Sequence, residues 1–84
     1  ISTSGNSKNV LEVLKCAKKM KIVSMGFLGN KGGLAKKYCD HRLIVDSDNV
    51  ARIQESHITA GHALMEYVED RLIETGFLNL KDKI

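Results

Sequence analysis

The chain has 84 residues, enough for one small domain or for part of a larger one. Its formal net charge of +3 is too small to predict a nucleic-acid surface, since the lysines are scattered and no aromatic residues stand between them for base stacking. No apolar run approaches the roughly 20 residues that cross a bilayer, so neither nucleic acid nor a membrane is an expected partner.

The first predicted elements are a turn and a helix. Residues 2–7, STSGNS, combine hydroxyls with a glycine and an asparagine, which is typical of a turn. Residues 8–19 then place apolar side chains at helical spacing, with lysines opposite. Those apolar side chains are Val10, Leu11, Val13, Leu14 and Ala17. Ser7 is the predicted N-cap, because its hydroxyl can accept a hydrogen bond from a free backbone N–H of the helix.

Four short elements follow. Residues 21–28 are apolar and partly β-branched, which predicts a buried strand, and residues 29–33, GNKGG, predict a glycine-rich turn. Residues 34–39, LAKKYC, predict a short helix, and residues 41–46, HRLIVD, predict a second strand.

The last predicted element is a long helix from about Val50 to Glu74. Residues 47–49, SDN, offer its N-cap, and Gly76 is the predicted C-terminal stop. Its apolar stripe consists of Ile53, Ile58, Leu64, Met65, Val68, Leu72 and Ile73. The tail, residues 77–84, has no clear helical or strand pattern.

The order of these elements predicts an α/β fold. Strands that alternate with helices are joined by crossovers and run parallel. A sheet of only two parallel strands, however, cannot cover both of its faces or close its edges. The hydroxyl-rich turn stands where the carboxyl end of a strand belongs, so we interpret Ile1 as the last residue of a further strand. We therefore expect the C-terminal half of a doubly wound α/β domain.

The two cysteines indicate the redox environment. Cys16 and Cys39 are far apart and form no CxxC motif. We predict two small, half-buried thiols without a disulfide, as in a protein of the reducing cytosol, and hence a cytoplasmic location.

The turn at residues 2–7 is a candidate anion site. A turn from strand to helix places backbone N–H groups and the positive end of the helix dipole beyond the carboxyl ends of the strands. Four hydroxyls that can each donate a hydrogen bond to a phosphate lie in it: those of Ser2, Thr3, Ser4 and Ser7. The alternative is a serine-rich turn that only caps its own helix.

The long helix carries a second candidate set. Gln54 and His62 are eight residues apart, which corresponds to a rise of about 12 Å and a rotation of about 80°. They share one broad side of the helix, so a common ligand is reachable only if both side chains lean inward. His57 lies well round the helix from His62. A lone helical histidine is more often solvated or packed at an interface, and that alternative stays open for both histidines.

Taken together, these stretches resemble a known family. STSGNSKNV, the strand with GNKGG, CDHRLIV and ARIQESHITAGH occur in the order and spacing of the sugar isomerase (SIS) domain. Within that class the chain is similar to the phosphoheptose isomerases, which interconvert sedoheptulose 7-phosphate and glycero-manno-heptose 7-phosphate. RIQE followed by a histidine eight residues after the glutamine is more specific to the isomerases than the serine-rich turn.

The resemblance implies a fold and an extent. The fold would be the C-terminal half of a three-layer α/β/α SIS domain with a parallel sheet, ending in a long helix. Residues 1–84 would then be the C-terminal part of a single SIS domain whose N-terminal half is absent. Such proteins are considerably longer than this chain, so we expect the 84-residue piece to be inactive by itself.

The resemblance also implies roles for individual residues. The substrate, chiefly its phosphate, would be bound by Ser2, Thr3, Ser4 and Ser7. Gln54 would contact the substrate and ligate a zinc ion, and His62 would ligate that zinc or act as the acid/base catalyst. The remaining ligands of the family, a histidine and a glutamate, would lie in the N-terminal half. This chemistry suits an aldose–ketose isomerisation, which moves a proton between C1 and C2 through an enediolate.

Two other functions remain open within the same fold. A non-catalytic SIS module would bind a phosphosugar, or a protein of replication or transcription, without turning anything over. A different SIS isomerase, such as one that acts on glucosamine phosphate, would usually occur in tandem and lack the RIQE–histidine pairing. The full hydroxyl turn together with Gln54 and His62 favours the phosphoheptose isomerase, which makes heptose for the lipopolysaccharide core.

The apolar stripe of the long helix predicts an assembly. It is longer than a half-sheet can cover, so its later members should pack on another subunit or on the absent N-terminal helix: Leu64, Met65, Val68 and Leu72. The resemblance implies a homotetramer with active sites at subunit contacts.

A charge in this stripe should therefore break the assembly. In the full-length protein we expect Val68→Asp to dissociate the tetramer, because a buried unpaired charge is costly, and Leu72 should be equally intolerant. Analytical ultracentrifugation measures the outcome. A Val68→Asp protein that stays a full, stable tetramer would contradict the expectation.

Overall fold

The computed structural model describes residues 1–79. Its elements are helix α1 (Lys8–Lys19), strand β1 (Met25–Gly29), a 3₁₀ helix (Leu34–Tyr38), strand β2 (His41–Val45) and helix α2 (Val50–Glu74). The two strands pair in parallel, with Met25 opposite His41 and Gly29 opposite Val45. The alternating order and the parallel pairing confirm the predicted α/β fold.

A further pairing lies on the other edge of β1. Ser2 forms an isolated parallel bridge with Leu28, and the Ser2 N–H donates to the Phe27 carbonyl at 3.0 Å. Leu28 also pairs with Ile44 of β2, so the Ser2 segment and β2 flank β1 on opposite sides. The strand-like pairing therefore lies at Ser2, the first residue of the hydroxyl-rich turn, and not at Ile1, which was interpreted as the last residue of a strand.

The bounds of both helices match the prediction. Helix α2 begins after Asn49, whose side chain accepts a hydrogen bond from the Arg52 N–H at 3.3 Å. Its last turn is closed by the Gly76 N–H, which donates to the Ile73 carbonyl, and Gly76 has a φ of +84°. That conformation suits a glycine after a helix, which confirms the predicted stop.

The predicted start of the first strand is wrong. Strand β1 begins at Met25 and not at residue 21, and it continues to Gly29. Lys21 has a φ of +57°, and the Ile22 N–H donates to the Ala17 carbonyl. The apolar residues after α1 therefore close the helix end, and Val23 is 72 % exposed. Hydrophobicity alone could not separate a helix end from a strand start.

Helical segments cover both faces of β1. Successive side chains of a strand point to opposite faces, so Leu28 and Phe27 face different layers. Leu28 packs with residues of α1, the 3₁₀ helix and the segment that follows it. The residues of this cluster are Leu14, Leu28, Ala35 and Cys39. Phe27 contacts α2 on the other face, where its ring lies 5.7 Å from that of His57.

The predicted apolar stripe of α2 is only partly buried. Ile53 is fully buried, whereas Ile58 is 59 % exposed and Met65 is 60 % exposed. Val68 is also exposed, and Leu64, Leu72 and Ile73 are half-buried. On α1, Val13 is 66 % exposed although its spacing placed it on the apolar face. Within residues 1–79, no helix has both the length and the apolarity needed to cross a bilayer.

The cysteines differ from the expected pair of half-buried thiols. Cys16 is exposed on α1, whereas Cys39 is buried beside Gly26, and both are free. Burial raises the pKa of the Cys39 thiol, because desolvation penalises the thiolate.

We expect the two thiols to react at very different rates. In the native protein a thiol reagent at pH 8 should label Cys16 first, because Cys39 is both shielded and poorly ionised. Mass spectrometry of the timed reaction measures the order, and denatured protein serves as the control in which both react. Equal rates in the native protein would contradict the packing of Cys39.

Candidate functional site

The hydroxyl turn, residues 2–7, is held by its own side chains. The Ser2 hydroxyl is 4 % exposed; it accepts the Gly5 N–H at 3.0 Å and shares a hydrogen bond of 2.9 Å with the Ser7 hydroxyl. The Ser4 hydroxyl accepts the Asn6 N–H at 3.0 Å. Ser4 is exposed, and Thr3 and Ser7 are half-buried. Because one proton serves the Ser2–Ser7 bond, the other proton of that pair remains available for an outside acceptor.

The predicted side-chain cap at Ser7 is wrong. Ser7 does occupy the N-cap position of α1, but its hydroxyl makes no capping hydrogen bond. Its hydroxyl is engaged by Ser2 instead, while its main-chain carbonyl accepts the Leu11 N–H. The serine hydroxyls of this turn therefore bond within the turn and do not cap α1.

The glycine turn, residues 30–33, packs directly on the hydroxyl turn. The Gly5 carbonyl accepts the Ala35 N–H at 2.8 Å, and the Asn6 side chain accepts the Leu34 N–H at 2.9 Å. A Cβ at Gly5 would overlap the Gly32 carbonyl oxygen, and Gly5 has a φ of +72°. Only glycine satisfies both the conformation and the contact, so the two turns meet backbone to backbone.

The end of β1 is the point where three parts of the site converge. A Cβ at Gly29 would overlap the Thr3 carbonyl oxygen on one side and would lie 2.6 Å from Cδ1 of Ile53 on the other. The next residue, Asn30, donates from its side chain to the same Thr3 carbonyl at 3.1 Å. Absence of a side chain at Gly29 thus lets the hydroxyl turn and α2 approach the same strand end.

Helix α2 sits on β1 through residues spaced by four. Ile53 packs on Gly29, His57 bonds to the Leu28 carbonyl, and a Cβ at Gly61 would lie 3.6 Å from the Phe27 ring. Residues spaced by four form one row along a helix. We call these three the anchor row: Ile53, His57 and Gly61. Along α2, the anchor row contacts Gly29, Leu28 and Phe27 in turn, so it runs from the carboxyl end of β1 toward its amino end.

Gln54 and His62 lie on the adjacent row. Each is one residue beyond a member of the anchor row, with Ile58 between them. All three line an open depression of about 490 Å³. Its other lining residues are Ile1, Phe27, His57 and Gly61. The structure therefore brings Gln54 and His62 to one surface, although two turns of helix separate them. The hydroxyls of residues 2–7 do not line this depression; Ile1 leads from it into the hydroxyl turn.

The described residues supply part of a metal site at most. Structural and catalytic zinc is bound by three or four protein ligands, chiefly His, Cys, Asp and Glu. Among residues 1–79, no group of three or more such side chains is placed to hold a metal ion. Gln54 and His62 can offer an amide oxygen and an imidazole nitrogen toward the same depression, so they fit two positions of a larger ligand set.

The carboxylate with a displaced pKa lies away from this depression. Asp40 precedes β2, and its side chain accepts the Ser24 N–H at 2.9 Å. This hydrogen bond lowers the pKa of Asp40, because it favours the charged form. Asp40 is therefore a local link between the amino ends of the strands and not a candidate acid or base.

Sequence reasoning missed the position of His57. It was expected to be solvated or at an interface, but it is 3 % exposed beneath β1. Its place four residues after buried Ile53 was the available signal. The interlocking of the two turns through Asn6 and Asn30 was also missed, because those hydrogen bonds join distant parts of the chain.

A parallel α/β fragment, a hydroxyl turn at a strand end and a Gln54–His62 row agree with the expected resemblance to SIS domains. No protein-family model matches the chain. Curated relatives that match the chain share one name, phosphoheptose isomerase. Phosphoheptose isomerase 1 of Campylobacter jejuni is 50% identical over 70 residues, which are 83% of this chain and 38% of that protein. Phosphoheptose isomerase of Clostridium acetobutylicum is 50% identical over 72 residues, 86% of this chain and 37% of that protein.

A more distant relative covers nearly the whole chain. Phosphoheptose isomerase of Aneurinibacillus thermoaerophilus is 40% identical over 81 residues, which are 96% of this chain and 41% of that protein. The chain is therefore homologous to phosphoheptose isomerases over the region that it spans. It spans 37% to 41% of the length of these three relatives.

A methyl group at Gly29 should disturb the whole site. We expect Gly29→Ala to destabilise the full-length protein by about 1–3 kcal/mol, because the added carbon must displace either the Thr3 backbone or Ile53. Urea unfolding measures the change. Gly61→Ala is the control: its Cβ meets Phe27 at an ordinary 3.6 Å, so it should raise stability by about 0.5–1 kcal/mol. Equal effects of the two substitutions would contradict the close approach at Gly29.

Proposed function

We propose that the protein is a phosphoheptose isomerase, and that residues 1–84 form the C-terminal part of its single SIS domain. The reaction would convert sedoheptulose 7-phosphate into glycero-manno-heptose 7-phosphate. The observation that carries the proposal is the shared depression of Gln54 and His62 beside the hydroxyl turn. The named activity of the relatives at 40% to 50% identity supports the same reaction.

The hydroxyl turn would anchor the phosphate. Ser4 is exposed, and Ser7 and Thr3 are half-buried, so these three can reach a ligand more directly than Ser2. Ser2 would contribute through the Ser7 hydroxyl, to which it is already bonded. The N-terminus of α1 follows at once and favours an anion there. A phosphate held at this end supplies binding energy that can orient the reacting carbons.

Gln54 and His62 would act at the reacting end. In the direction from ketose to aldose, His62 would take a proton from C1 and return it to C2 through the enediolate, while the proton of the C1 hydroxyl passes to the C2 oxygen. Gln54 would donate a hydrogen bond to a substrate oxygen or accept one from a hydroxyl. Gln54 would also help to hold one zinc ion, which polarises substrate oxygens when it is bound. His62 would either carry the proton or ligate that zinc, because a ring nitrogen bound to the metal cannot also accept a proton.

The working protein would be a cytoplasmic homotetramer that supplies heptose for lipopolysaccharide. The free state of Cys16 and Cys39 supports a reducing compartment. Exposed apolar side chains along α2, Ile58, Met65 and Val68 among them, support contact with another subunit or another part of the same domain. Further site residues would come from outside these 84 residues.

Turnover by the full-length protein tests the proposal. It is incubated with sedoheptulose 7-phosphate and zinc, and aldose formation is followed for wild type and for His62→Gln. We expect wild-type turnover and a loss of at least about 100-fold in His62→Gln, the usual contribution of a general acid or base. His41→Gln is the matched control, because His41 is exposed at the amino end of β2 and should leave the rate unchanged.

Two other results would contradict the proposal in different ways. Full activity in His62→Gln would remove His62 from the chemistry and retain the isomerase. Sugar-phosphate binding by the wild type without turnover would identify a non-catalytic SIS module.

A further inference from the structure

His57 is placed between the two residues that the proposed reaction needs. It follows Gln54 by three residues and precedes His62 by five, but its side chain points to β1 and not to solvent. Its Nε2 atom lies 2.7 Å from the Leu28 carbonyl oxygen. Because a carbonyl only accepts, Nε2 carries the proton and donates it.

Burial of a histidine at this position costs folding free energy that an apolar side chain would not. Its side chain is 3 % exposed, and its Nδ1 atom is buried without a hydrogen-bond partner among residues 1–79. A buried polar atom without a partner opposes folding, whereas an apolar side chain of similar size would avoid that cost. The feature that distinguishes histidine from such a side chain here is the directional bond to Leu28.

That bond fixes the helix both along and around its axis. The contact of Ile53 with Gly29 is apolar, so it tolerates small movements of α2 along β1. Gly61 has no side chain that could hold α2 in place against Phe27. The His57–Leu28 bond is the directional link within the anchor row. Gln54 and His62 lie one residue beyond anchor-row members, so any rotation of α2 moves both of them across the depression.

We propose that His57 is a positioning residue: its Nε2–H bond to the Leu28 carbonyl sets the rotation of α2 that holds Gln54 and His62 toward one ligand. The inference rests on the proposed function for its kinetic consequence. His57 borders the same depression but is almost fully buried, so we assign it no contact with the reacting atoms. It acts through its two neighbours on the adjacent row.

Two substitutions separate the bond from the packing. In His57→Gln the side-chain amide nitrogen stands as many bonds from Cβ as Nε2 does, so it can still donate to Leu28. In His57→Leu the volume remains and the donor is lost. Leu14→Ala is the control for a loss of stability alone. Leu14, in α1, is buried in the cluster on the face of the sheet opposite to α2. All are made in the full-length protein.

Kinetics give the first readout. We expect kcat of His57→Leu to fall about 100-fold, the effect of a displacement near 1 Å, while KM stays within about threefold because the phosphate anchor is intact. His57→Gln should recover kcat to within about tenfold of wild type. Leu14→Ala should lower the melting temperature as His57→Leu does and leave kcat of the folded protein unchanged. Equal kcat losses in His57→Leu and Leu14→Ala would overturn the proposal.

Crystal structures of wild type, His57→Leu and His57→Gln give a readout that needs no activity. Gln54 and His62 should shift relative to β1 by about 1 Å in His57→Leu, and they should keep their places in His57→Gln. Unchanged positions in His57→Leu would overturn the positioning role even if the wild type proves inactive. A wild type without turnover would refute the isomerase proposal alone, and the structures would still decide the role of His57.

Discussion

The missing side chain at Gly29 is the constraint on which the site depends. At this strand end the Thr3 carbonyl and the Ile53 side chain both occupy space that any Cβ would need. The contact joins the hydroxyl turn, the middle strand and α2 at one point. Close packing transmits such a constraint, because protein interiors leave few gaps into which a displaced group can move. The positions of Gln54 and of the serine hydroxyls are therefore coupled through a single residue of the strand.

The two candidate ligand regions are built by different means. The hydroxyl turn is held by the Ser2–Ser7 hydrogen bond and by the Gly5 N–H that donates to Ser2. The Gly5 carbonyl also accepts the Ala35 N–H. The Gln54–His62 row is positioned by the neighbouring anchor row, of which His57 and Gly61 also border the depression while His57 bonds to the Leu28 carbonyl. A phosphate requires several donors in a fixed cradle, whereas a reacting carbon requires one or two groups held at a set angle. The two constructions suit those two tasks.

The buried core is small for the apolar surface that the chain carries. Leu28 and Ile53 are the largest side chains that are almost completely enclosed among residues 1–79. Much of α2 shows apolar side chains to solvent, and small domains bury too little surface to be very stable alone. The exposed face is therefore consistent with a module that gains stability from further protein, as the length of its relatives also suggests.

Local signals in the sequence determined the order of elements, the bounds of both helices and the turns. Caps, glycines and periodicity act over a few residues, so they can be read without the fold. They failed at Ile22 and Val23, where apolar residues close a helix and do not begin a strand. The motif spacing likewise indicated the family that the curated relatives support.

Only the tertiary structure decided which side of α2 faces the sheet. The predicted stripe included Ile58 and Met65, but the helix rests on Ile53, His57 and Gly61. The strand offers them a bare Gly29 and the Leu28 carbonyl, to which His57 bonds. This orientation of α2 buries His57 and leaves His62 exposed. It also makes Ser2 an internal support and not a surface donor. Periodicity shows that a helix has an apolar side, but the shape and polar groups of its neighbour select which residues touch it.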